Sequence, residues 1–334
     1  MTTTTSETQP VALAYEPAPL PPRRPGEHGA VVALLVATVF WGCGFTWAKG
    51  AGESVQRVLG LPPGALLGPV FILAVRFASA GLLVLLLVPR ARRGWTWRGA
   101  GRVGLCGLLL AAGLVLQHLG LDRTSPAVSA FLTSLTILFV PLILTVVLRK
   151  PPAPVMWLGV VLATAGVWLM TGATPTGFRA GEALGLGCAF MFSVYLLAVN
   201  AVAKSEDAWR MTAGQFLVTA VVCAAMCLFL TGGREAITPQ GASRILSSGP
   251  SIWLNTALLA IFPTVGAFGL LNLYQPKLDA TRAALIYLVE PIVAAAYAWL
   301  AAGGTMSAKE LLGAALILGA NVLVEVLAAR ARRP

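Results

Sequence analysis

Residues 283–302 read AALIYLVEPIVAAAYAWLAA, twenty residues in which Glu290 is the one charge. A helix crosses the hydrocarbon core of a bilayer in about 20 predominantly apolar residues. This run has that length and is bounded by Arg282 and by Gly303-Gly304. The pattern recurs on both sides of it. Further runs cover 30–48, 69–88, 103–121, 127–148 and 155–171, then 183–202, 211–230, 252–274 and 311–327, ten in all. The alternating ten-residue segments of a membrane barrel are absent from the sequence. The expected fold is all-α, a polytopic membrane protein with ten transmembrane helices.

The composition agrees with that reading. Of 334 residues, 57% are hydrophobic and 11% charged, against about a quarter charged in soluble domains. A net charge of +11 would ordinarily suggest nucleic acid, but the 24 Lys and Arg are scattered between apolar runs. With the N-terminus in the cytosol, 16 of them fall in cytosolic segments, 7 in outer segments, and Arg76 lies inside a span. That bias follows the positive-inside rule. It places the chain in the cell (inner) membrane with both termini cytoplasmic, its environment a lipid bilayer and no nucleic-acid partner expected. Residues 1–29, rich in Thr, Pro and Ala with no apolar signal-peptide core, read as a disordered cytosolic tail, and 329–334 as a basic one. The five Cys, an odd number, sit in apolar surroundings and suggest no disulfide framework.

The chain also repeats itself. Trp157-Leu158-Gly159-Val160-Val161-Leu162 aligns, 154 residues on, with Leu311-Leu312-Gly313-Ala314-Ala315-Leu316, and the same offset carries Ala130-Phe131-Leu132 onto Ala284-Leu285-Ile286. Phe40-Trp41-Gly42 meets Met191-Phe192-Ser193 in the same order. Two units of five spans, 30–172 and 181–328, would enter the membrane from opposite sides and form an inverted repeat. Such repeats enclose a site near the midplane that opens alternately to either face.

These residues resemble the drug/metabolite transporter superfamily, specifically its ten-helix members with two EamA domains. The resemblance rests on Phe40-Trp41-Gly42 with Phe45 and Lys49, Arg76-Phe77, and Leu119-Gly120-Leu121 with Thr124 and Ala127. In the second half it rests on Phe192, Tyr195, Ala280-Thr281-Arg282-Ala283-Ala284, Glu290-Pro291 and Leu312-Gly313. The acidic residue that family members often carry after the fourth and ninth helices has no counterpart in Leu148-Arg149-Lys150-Pro151 or Gly303-Gly304-Thr305-Met306. The resemblance implies a secondary transporter of small organic molecules, frequently an exporter of amino acids or other metabolites. A multidrug or other metabolite carrier is the alternative.

A charged group at the centre of a spanning helix costs about 2.5 to 3.5 kcal/mol on insertion scales, so each requires a reason. Glu290 lies about 12 Å along its helix from Arg282, close to the midplane. Pro291 would leave the carbonyl of Tyr287 without its usual donor. Glu290 could then contact a substrate amine or couple transport to protons; otherwise it pairs with Arg76 and fixes packing. Arg76 could hold a substrate carboxylate or bond across a helix interface, and its counterpart in the second half is Gln215. Gln117, His118 and Asn272 are further polar candidates, and Trp41, Phe45, Phe192, Tyr195 and Tyr287 are candidate cavity walls. Pro141, Pro263 and Pro291 mark helices expected to bend, and Pro263 should free the carbonyl of Leu259. With no second His inside the spans, no metal is expected, and no cofactor either. An intramembrane enzyme would need a nucleophile with a base or paired carboxylates; His-Glu-x-x-His and Gly-x-Ser-x-Gly do not occur, nor does a phosphate-binding loop.

Overall fold

A computed structural model describes residues 26–124, 126–151, 154–171, 180–236, 238–302 and 307–330. Most of the tail expected at the N-terminus, the second half of the C-terminal tail and the segment 303–306 lie outside the described residues. Among the described residues the regular structure is helical throughout.

The first half comprises α1 (Glu27–Val58), α2 (Leu67–Leu87), α3 (Pro89–Arg92), α4 (Trp97–Asp122), α5 (Pro126–Ser134), α6 (Thr136–Val146) and α7 (Pro154–Thr171). The second half begins with α8 (Ala180–Val202), α9 (Ala208–Phe229), α10 (Gly233–Ala236), α11 (Pro239–Ser247) and α12 (Pro250–Leu259). A π-helical turn (Ala260–Gly266) leads into α13 (Ala267–Tyr274), followed by α14 (Ala280–Tyr287), α15 (Glu290–Ala302) and α16 (Ala308–Arg330). Seven helices among the described residues are long and apolar enough to cross a membrane, two of them through a local irregularity: 252–277 and 280–301. Three shorter apolar stretches, Leu132–Val146, Pro154–Gly166 and Leu311–Ala320, fall on the fourth, fifth and tenth expected spans.

Several helices start where the sequence supplies a cap. Thr96 Oγ1 accepts from the N–H of Gly99, Asp207 from Trp209 and Arg210, and Asp279 from Arg282 at 2.9 Å. Each cap satisfies amide groups that have no carbonyl one turn back. The outside of the bundle is apolar as well as its inside, with Phe229 86% exposed and Leu86, Leu87 and Leu300 each 70%. That surface suits a hydrocarbon solvent, to which an exposed Leu costs nothing.

Helices of the two halves pack against one another. α7 lies along α16, α2 along α9 and α4 along α8, while α1 packs on α12, the π-helical turn and α13. α5 and α6 pack on α8, as α14 and α15 pack on α1. Small residues set these distances: a Cβ on Gly166 would come within 2.7 Å of the Gly313 backbone oxygen, between α7 and α16. Lys49 Nζ donates to the Thr124 carbonyl at 2.8 Å, which brings the later part of α1 beside the end of α4. At the opposite end Arg282 binds Glu27 at 2.9 Å, joining the starts of α1 and α14.

Candidate functional site: a central cavity with two separated charges

Between α1, α2, α4, the broken helices and the π-helical turn lies a cavity with about 810 Å³ of empty space, its mouth included. Its walls are mainly apolar and aromatic, and its polar groups come from α2, α4, α5, α6, α8, α14 and α15.

Arg76, on α2, is 4% exposed and reaches the cavity wall. Its Nε donates to Thr264 Oγ1, in the π-helical turn, at 2.5 Å. Thr264 in turn donates to the carbonyl of Leu259 at 2.7 Å. Pro263 has no N–H to offer Leu259, and in the π-helical register, where bonds run from residue i+5 to i, Thr264 serves that carbonyl, its hydroxyl reaching the same oxygen. The same turn holds Trp41, whose Nε1 donates to the Pro263 carbonyl at 3.0 Å. The Trp41 ring meets Phe268 and Tyr287 edge-on at centroid distances of 5.2 and 5.3 Å.

Glu290 occupies the first position of α15, because α14 stops at Tyr287 and the helix resumes two residues later. The proline behind it sits in the first turn of α15, where a missing N–H is harmless. The break therefore delivers a carboxyl group to the positive end of a helix and to the cavity wall. Glu290 is 8% exposed and makes no hydrogen bond or ion pair among the described residues. Arg76 and Glu290 thus share the cavity without pairing.

The remaining polar groups are tied down. Tyr195 donates to Gln215 Oε1 at 2.6 Å, Gln215 Nε2 to Asn272 Oδ1 at 3.2 Å, and Asn272 Nδ2 to Thr212 Oγ1 at 2.9 Å. Tyr287 donates to Gln275 Oε1 at 2.8 Å, and Gln275 Nε2 to Asn200 Oδ1 at 3.0 Å. Gln117 Nε2 donates to Thr133 Oγ1 at 3.1 Å. His118 lies 3.0 Å from the Leu114 carbonyl through Nδ1. A carbonyl can only accept, so Nδ1 carries the proton and Nε2 is the bare nitrogen, buried without a partner.

Of the residues singled out from the sequence, Trp41, Phe45, Arg76, Gln117, Tyr195, Tyr287, Glu290 and Pro263 all line this cavity. Asn272 does not; it stands one hydrogen bond behind Gln215 and so orients Tyr195 at second hand. Pro141 lies inside α6, while the break in that span falls at Leu135. Pro291 is not among the lining residues. The sequence reading passed over Thr133, Ser134, Thr136 and Phe268, which also line the cavity, and Thr264, which holds Arg76. Four hydroxyls within 129–136 of an apolar span were the available signal for the first group.

Beyond Tyr287 lies an apolar cluster of Ala30, Leu34, Leu278, Ala283 and Ile286, and near it the Glu27–Arg282 pair, both side chains under 9% exposed. Towards the other end Ala48, His118 and Leu121 separate it from a smaller cavity lined by Lys49, Gly52, Pro69 and Asp122.

Comparison with known proteins places this arrangement. The chain is 24% identical to an uncharacterized transporter of Archaeoglobus fulgidus, over 89% of this chain and 86% of that protein. It is 26% identical to the uncharacterized transporter YwfM of Bacillus subtilis, over 85% and 90% respectively. A solved protein crystal structure, 22% identical and covering 91% of this chain and 99% of its own, superposes with a TM-score of 0.64 and shares the fold. The model of the EamA-like transporter family matches residues 28–172 and 179–326, nearly the whole apolar part of the chain, and this multi-pass membrane protein therefore belongs to that family.

Proposed function

We propose that the protein is a secondary transporter that exports amino-acid-like metabolites across the cell membrane by alternating access. One observation carries the reading: a buried guanidinium and a buried carboxyl face one aromatic-walled cavity and do not pair with each other. A zwitterion complements that arrangement, its carboxylate at Arg76, its ammonium at Glu290 and its side chain against Trp41, Phe192 and Phe268. Glu290 can hold either the ammonium or a proton, and competition between them couples outward solute movement to inward proton movement. The paired contacts between halves support ten spans in two inverted units: α7 with α16, α2 with α9, and α4–α8 matched by α1 with the eighth span. The charge bias of the loops supports cytosolic termini, which makes the end that carries Glu27 and Arg282 the cytosolic one.

The aromatic walls favour one further reading, an organic-cation or multidrug carrier in which Glu290 receives the cation and Arg76 plays no part in binding. Proteoliposomes loaded with a panel of labelled amino acids test both. Exchange faster than in protein-free vesicles, lost in Arg76→Gln, is expected. No exchange of any amino acid would end the first reading, and exchange of amines with Arg76→Gln unaffected would favour the second.

A further inference from the structure

Opposite charges in a cavity of low polarity attract strongly, and a neutralised Arg76–Glu290 pair would leave no handle for a solute. The π-helical turn gives Arg76 a different partner. Thr264 is fully buried and its single hydroxyl hydrogen is committed to the Leu259 carbonyl at 2.7 Å. Towards Arg76 its oxygen can therefore only accept, and it accepts Nε–H. That bond takes the inner nitrogen of the guanidinium, whose two terminal nitrogens make no hydrogen bond among the described residues. They remain the pair suited to a carboxylate, which guanidinium binds through two parallel bonds.

We propose that Thr264 is the positioning residue of the site: it keeps Arg76 from collapsing onto Glu290, so that both charges stay available to a carboxylate-bearing solute. The inference rests on the zwitterion reading above for its purpose, though not for its geometry. The turn sets the register in which position 264 does this, since its hydroxyl reaches back five residues to Leu259 where a hydroxyl in an α-helix reaches back four, as Thr256 does to Ile252. Trp41, bonded to the Pro263 carbonyl, is held by the same turn, so one irregularity sets a charged wall and an aromatic wall together.

Labelling of Glu290 by dicyclohexylcarbodiimide tests the proposal without any solute, since this reagent modifies protonated carboxyls from the apolar phase. The titratable groups sharing the cavity with Glu290 are Arg76, His118, Tyr195 and Tyr287. The rate is followed by mass spectrometry of the Glu290 peptide, on full-length protein in lipid nanodiscs. Wild type and Thr264→Ser should label alike. Thr264→Val, of the same shape without the hydroxyl, should label at least about tenfold more slowly, the smallest factor expected of a hydrogen bond to a charged group. Thr264→Val/Arg76→Gln should regain the wild-type rate. Thr264→Val labelling as fast as wild type would overturn the proposal, as would a wild type that does not label or a double variant that stays slow. If this pattern holds while no labelled amino acid exchanges, the transport reading falls and the role of Thr264 stands. If amino acids exchange but the pattern is absent, the reverse follows.

Discussion

Two helices of this protein break within the cavity wall, one in each half, and they are finished differently. The first break is at Leu135, between α5 and α6; the second is at Leu288 and Val289, between α14 and α15, 153 and 154 residues later. Around the first, every hydroxyl has a partner: Ser134 donates to the Ala130 carbonyl and Thr136 to that of Thr133, each at 2.7 Å, with the Ala189 carbonyl of α8 3.3 Å from Thr136 Oγ1, and Thr133 accepts from Gln117. Around the second, Tyr287 is bonded and Glu290 is not. The same backbone device therefore serves two purposes. In the first half it is a bend whose polar groups are all bonded, in part to α4 and α8. In the second it carries a carboxyl group that no described residue bonds, and the proposed function gives that group its partner.

Three substitutions and one control probe that difference. The largest effect is expected from Glu290→Gln, which should slow exchange of a zwitterionic solute by about tenfold to a hundredfold and abolish its accumulation under an imposed pH gradient. Thr136→Val, at the matching break, should leave both rates at the wild-type value; equal losses in the two variants would dissolve the asymmetry. The second half is also anchored where the first is not described to be, through the buried Glu27–Arg282 pair at the start of α14. Removing one partner there, as in Glu27→Gln, should cost about 3 kcal/mol, read as a lower midpoint of unfolding in detergent. The exposed Arg244–Glu235 pair, 59% and 56% exposed, is the control, and Glu235→Gln should not move that midpoint. The smallest effect belongs to Thr136→Val on stability, a loss of about 1 kcal/mol for one buried hydroxyl bond. A larger loss there than for Glu27→Gln would mean that the first break, not the second, is the more heavily braced.

Much of this site could be read from the chain. Glu290 and Arg76 announced themselves as charges inside apolar runs, and Pro263 marked the place where the structure has a π-helical turn, with Leu259 bonded by Thr264. The aromatic candidates Trp41, Phe45, Phe192, Tyr195 and Tyr287 lie on the wall, while Phe190, Phe229 and Trp299 face outward. What could not be read was partnership. Glu290 and Arg76 suggested each other as an ion pair, and the structure instead gives Arg76 to Thr264, 188 residues away in sequence. Asn272 looked like a contact residue and stands behind one, because the bond that claims it comes from Gln215, 57 residues earlier. Pro291 suggested a bend in a continuous helix, whereas the chain stops and restarts ahead of it, which places the carboxyl at a helix terminus.

By itself the sequence determined the class of molecule: apolar runs of spanning length, a charge bias between loops and a weak repeat follow from hydrophobic transfer and chain geometry, which act on each segment alone. The tertiary structure decided which polar groups meet and which stay free. Those outcomes depend on distances between helices far apart in the chain, and on a single π-helical turn that redirects one hydroxyl.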